Sequence, residues 1–111
     1  MYNNNNNNKK ITPQMQLFLE NLLLDSGLKF TDEFTKQKMI EDLYFKLDEF
    51  LGIVIEENLS DDDLVEYFNL RVVNTKAETL EKFLKTKIPN FDNLISMAML
   101  EFRNVYLSSL N

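Results

Sequence analysis

The densest group of potentially reactive side chains in the chain is "LSDDDLVEYF", residues 59–68, where Asp61, Asp62 and Asp63 stand in a row. Carboxylates at close spacing bind calcium, and held in pairs they carry acid–base chemistry in glycoside cleavage. The spacing argues against both. A calcium loop alternates its oxygen ligands and wants Gly at its sixth position and Glu at its twelfth, whereas consecutive residues at a helix start point about 100° apart. A glycosidase pair needs a cleft and a held separation that no stretch of this sequence encodes. The run fits a helix start instead. Ser60 followed three residues later by Asp63 has the form of a capping box, with Asp where Glu or Gln is usual. Asp61 and Asp62 then fall in the first turn, beside unpaired N–H groups and the positive pole of the helix dipole. A weak cation site in this acidic segment is the lesser reading.

Other chemistries lack their parts. The chain has no Cys and no His, which removes disulfides, thiolate metal sites, imidazole bases and every triad built on them. Di-metal carboxylate bundles use Glu-x-x-His pairs and are excluded in their usual form. The only two glycines, Gly27 and Gly52, stand 25 residues apart, so there is no glycine-rich phosphate loop. The expectation is a protein that is not an enzyme and holds no cofactor and no metal. A formal charge of −6, from 12 basic and 18 acidic residues, opposes binding to a phosphate backbone, so no nucleic-acid partner is expected. Nor is a membrane partner expected. The best apolar stretch, Leu17–Leu24, is short for a span and is broken by Glu20 and Asn21. Six Asn near the N-terminus do not make a secretory signal, and a cytoplasmic location is the default.

The elements that position these residues are helical. With 44% hydrophobic and 27% charged residues the chain has the composition of a globular domain, and two Gly and two Pro are too few for the turns of an all-β fold. Residues 1–11 read as a disordered Asn-rich tail, because a polar run cannot offset its own ordering entropy. Residues 12–111 read as a single helical domain of five segments. The first has Thr12 as N-cap, Pro13 at the first helical position and Ser26-Gly27 as its end. Leu17, Phe18, Leu19, Leu22, Leu23 and Leu24 give it an apolar arc wider than one core contact needs. The second is expected to start at Thr31, with Asp32 and Glu33 in its first turn and a seam of Ile40, Leu43, Leu47, Phe50 and Val54. Met39, Tyr44, Leu51 and Ile55 flank that seam, and Gly52 inside it allows a close helix approach or marks a kink.

The third segment begins at the aspartates. The fourth is expected to open with a second capping box, Thr75 with Glu78, and to bury Leu80, Phe83, Leu84 and Ile88. Glu78–Lys82 and Glu81–Lys85 are spaced as ion pairs along it, and Lys85 and Lys87 suit its negative pole. After Pro89, Asn90 is expected to cap a last helix with Phe91, Leu94, Ile95, Ala98, Phe102, Val105 and Tyr106 on one face. Met97 and Leu100 lie off that face, and Met99 adds to the apolar surface.

Charge is segregated along the chain. Residues 41–66 hold ten acids against the single base Lys46, and residues 67–88 hold five bases against Glu78 and Glu81. This is either a docking surface for a basic partner or a solvated face.

The order of pieces, "FLENLLLDSGL", then "LDEFLGIVIEENLSDDDLVEYF", then "LEKFLKTKIPNFDNLISMAMLEFRNVYL", resembles a domain-of-unknown-function family of small all-helical proteins. That family is found mainly in bacteria of the candidate phyla radiation (Patescibacteria), and the resemblance covers roughly residues 14–107. It implies an all-α fold and brings no functional residues, since the family has no established activity.

Together these readings describe an all-α bundle of four to five helices acting as a protein–protein interaction or self-assembly module. The partner is a second protein or a second copy, met through Met97 and Leu100 as an apolar contact or through Asp61, Asp62 and Asp63 as an acidic one. A small accessory subunit of an enzyme and a weak cation-binding acidic bundle are the alternatives.

Overall fold

The computed structural model describes residues 11–73 and 75–110. Among them are five α-helices and no strand: α1 (Pro13–Ser26), α2 (Glu33–Glu57), α3 (Asp61–Val72), α4 (Ala77–Lys87) and α5 (Phe91–Ser108). The fold is all-α. The Asn-rich stretch over residues 1–10 lies outside the described residues, but Ile11, assigned above to the tail, packs against the core.

Three helix starts follow the capping pattern. Thr12 Oγ1 accepts the Met15 N–H at 3.2 Å with Pro13 following, and Gly27 closes α1 in the left-handed conformation at φ 79°. Ser60 Oγ accepts the Asp63 N–H at 3.2 Å at the start of α3. For α2 the start moves on from Thr31: Asp32 is the cap, its carboxylate accepting the Thr35 N–H at 2.7 Å. A carboxylate outcompetes a hydroxyl for this place because it accepts a charge-assisted bond at the positive end of the helix.

Two expected caps are not made. The cap position of α4 is Lys76, with no side-chain bond, and the Thr75 N–H donates back to the Leu70 carbonyl at 3.1 Å. Thr75 therefore closes α3 and does not open α4. Asn90 holds the cap position of α5 but at φ 57°, in the left-handed region, and its side chain caps nothing. Its carbonyl still accepts the Leu94 N–H at 3.0 Å. Of the two expected pairs on α4, Glu81–Lys85 forms at 3.2 Å and Glu78–Lys82 does not.

Two hydrophobic clusters hold the helices together. In the first, Leu19, Leu22 and Leu23 of α1 pack against Ile40, Leu43 and Leu47 of α2. The C-terminal half of α5 seals this pair with Met99, Phe102, Tyr106 and Leu107. The rings of Phe50 and Phe102 lie 5.8 Å apart, and Arg103 of α5 reaches Asp25 of α1 at 2.6 Å. The second cluster gathers Ile55, Tyr67, Leu84 and Ile88, with Leu80, Phe83, Phe91 and Ile95 packed around them. α5 contributes to both, and Ala98 between its two packing segments is its one buried residue.

This arrangement corrects the expected face of α5. Val105 points outward at 59% exposure, whereas Met99, assigned above to surplus apolar surface, packs into the first cluster. The whole is thin, 19 Å across its smallest dimension, close to two helix layers at ordinary 8–10 Å spacing. A two-layer sheet of helices leaves each helix an outward face, which is why so many large apolar residues stay exposed.

Candidate interaction surfaces

The three aspartates do not converge on one point. Asp61 and Asp62 are exposed in the first turn of α3, while Asp63 turns its carboxylate to Lys87 of α4 at 3.5 Å. The reciprocal half of the capping box, from the N3 acid back to the cap amide, is thus replaced by a cross-helix ion pair. Among the described residues no group of three or more carboxylates converges as metal ligands do.

Met97 and Leu100 do come together. They are 63% and 57% exposed and line a shallow notch of about 390 Å³ between α5 and the C-terminal part of α2. Val54 and Leu94 complete its apolar wall, Ala98 its floor, and Glu101 and Asn104 its edge. Ile53, next to Val54, is a further exposed apolar side chain at 56%. Among the described residues the one polar contact of Met97 is weak, from the Asn93 amide to its sulfur at 3.8 Å. This notch and the aspartates share no lining residue.

A third surface was not expected from the sequence. A groove of about 870 Å³ runs between α2, α3, α4 and the start of α5. Its apolar lining includes Leu51, Ile55, Leu80, Leu84, Phe91 and Ile95, and its charged edges carry Asp48, Arg71, Lys76 and Glu81. Tyr67 is set into it, with the Arg71 guanidinium 5.5 Å from the ring centre. Burial pushes the Tyr67 phenol above its usual range; Arg71 opposes that rise and the carboxylates of Glu56 and Asp48 add to it. The ring is therefore neutral across physiological pH. The stability that follows from its raised value is present below pH 10.0 and is lost as pH rises through the folded value.

Gly52 lies in the lining of this groove. A Cβ added there meets no atom within 4 Å, and α2 runs through it without interruption. Among the described residues no neighbouring helix comes close to it, which was one of the two expected roles. The glycine was the one signal in the sequence that this place differs from the rest of α2.

The described residues include no helix long and apolar enough to cross a membrane. No protein-family model, curated protein or solved structure matches the chain, so no functional residue comes to it from a relative.

Proposed function

We propose that the protein is a non-enzymatic interaction module that assembles through the outward face of α5, with Met97 and Leu100 at its centre. The observation that carries this reading is the exposure of these two side chains side by side around an apolar notch. A fully buried side chain of this size contributes about 1.5–3 kcal/mol, which the free chain leaves unrealised at both positions.

The partner we propose is a second copy, because the notch lining carries little charge to repel it. A chain of net charge −6 repels its own kind over much of its surface, and the acids concentrate in residues 41–66. The notch is lined by Val54, Leu94, Met97, Ala98, Leu100 and Asn104, with Glu101 its one charged residue. Two copies brought together there set few lining charges face to face. Asp61 and Asp62 lie outside this contact. The module is read as cytoplasmic, on its lack of Cys and its acidic composition.

The test is the mass in solution of the wild type and of the double substitution Met97→Glu/Leu100→Glu. A wild-type oligomer that the double substitution disperses supports the reading. A monomer at every concentration removes it.

A further inference from the structure

The α5 notch holds a chemically reactive atom, the sulfur of Met97. We propose that Met97 is a reversible oxidation site: hydrogen peroxide turns its thioether into a sulfoxide, and the sulfoxide holds two copies apart. The second half rests on the reading of α5 as the assembly surface. The chain has five Met and no Cys, so methionine sulfurs are the only ones a peroxide meets. Among the described methionines Met97 alone is exposed, at 63%. Met15, Met39 and Met99 are half-buried and pack against the first hydrophobic cluster. A peroxide approaches the sulfur lone pair from solvent, and access therefore selects Met97.

In the reaction the lone pair attacks one peroxide oxygen, an S–O bond forms and the O–O bond breaks. Sulfur loses two electrons, and the departing hydroxide takes the proton of the transferred oxygen and leaves as water. A flexible apolar side chain becomes a polar one. Asn93, one turn earlier on α5, already points an amide N–H at the sulfur at 3.8 Å. That contact is weak with a thioether, but a sulfoxide oxygen is a far better acceptor for the same amide. One donor does not replace the hydration of such an oxygen, and the side chains of Val54, Leu94 and Leu100 in the lining offer no other. A second copy closing over the notch strips water that the lining does not replace, and a polar group short of partners is costly to bury. The separated chain keeps that water, so oxidation favours it. Assembly in turn covers Met97, so peroxide acts on the separated chain and assembly protects it. A methionine sulfoxide reductase restores the thioether, two thiols being oxidised to a disulfide and the oxygen leaving as water.

The test treats the full chain with hydrogen peroxide at low and at high protein concentration. Peptide mass mapping follows added oxygen on Met15, Met39, Met97 and Met99. Met97 should gain oxygen several-fold faster than the other three, and more slowly at the higher concentration. Once Met97 alone is converted, light scattering should give a monomer that still melts as a folded chain, and reductase treatment should return the dimer. Oxidation of Met15, Met39 or Met99 as fast as that of Met97 overturns the proposal. So does a Met97 sulfoxide that assembles as well as the untreated chain. In Met97→Leu, peroxide must leave whatever assembly the variant has unchanged; a further loss gives the effect to another residue and overturns the proposal. If Met97→Leu does not assemble, recovery of the oxidised wild type decides, and a reductase that removes the oxygen without returning the dimer overturns it. A wild type that is monomeric before any peroxide removes the assembly reading and the switch with it. A wild-type dimer that the sulfoxide leaves intact removes the switch alone.

Discussion

The Asp63 carboxylate at the start of α3 lies 3.5 Å from the Lys87 ammonium at the end of α4, and this pair accounts for the one aspartate of the run that is not simply exposed. Their side chains are 26% and 36% exposed, so the pair sits in partly screened surroundings and fastens two helix ends of opposite dipole sign. The pair gives Asp63 a partner within the fold.

Asp63→Asn should therefore cost less than about 1 kcal/mol, the scale of a surface ion pair. Ser60→Ala, which removes the oxygen that accepts the Asp63 N–H, should cost about 1 kcal/mol. Urea unfolding of the two variants checks both values. A loss of several kcal/mol for Asp63→Asn, or melting that shifts with calcium, would show that the aspartates do more than cap and pair.

Gly52→Ala should stabilise the protein by up to about 1 kcal/mol, because the added methyl meets no atom within 4 Å and the helix gains propensity. Thermal melting reads this directly. Destabilisation would mean that α2 needs the glycine for its own packing.

Acid should weaken the start of α2. The hydrogen bonds that Asp32 accepts from Thr35 hold its carboxyl below the ordinary 3.8, against a small opposing effect of burial. With the folded value depressed, the contribution is complete above pH 3.8 and is lost as pH falls through the folded value. Asp32→Asn keeps a capping oxygen that does not titrate. The melting temperature of wild type relative to this variant should thus be flat near neutrality and drop on acidification below pH 3.8. A difference independent of pH would contradict the cap.

Substitutions in the two-layer fold should divide sharply by layer. Leu47, fully buried between α1 and α2, should cost about 2–5 kcal/mol on change to Ala. Leu24, 74% exposed, should stay within about 0.5 kcal/mol, since surface changes away from special features rarely exceed it. Chemical denaturation of both variants makes the comparison.

The helices were legible in the sequence because local chemistry defines them. Thr12-Pro13, Ser60 and Gly27 act through atoms three or four residues away, and the pattern Ile40, Leu43, Leu47 marks the buried seam of α2 directly. The misread caps turn on backbone placement that the sequence does not state, Asn90 at φ 57° among them. Thr75 sits one residue before the cap position of α4 with its N–H on the Leu70 carbonyl, and Asp32 takes the cap of α2 in place of Thr31. Which apolar residues face outward was only partly legible. Met97 and Leu100 fall off the helical stripe and are exposed, but Met99 and Val105 exchange places because α5 serves two clusters on different sides. A groove assembled from four helices has no local signature at all, and only the unexplained Gly52 pointed to it.

The central claim is assembly through α5, and light scattering on a sizing column tests it most directly, on the wild type and on Met97→Glu/Leu100→Glu across a range of concentrations. The account predicts a wild-type dimer, dispersed to monomer by two carboxylates placed in the notch, with the monomer still folded by its melting curve. A wild type that stays monomeric, or a double variant that unfolds, would contradict it, the second by putting Met97 and Leu100 to work inside the fold and not on its surface.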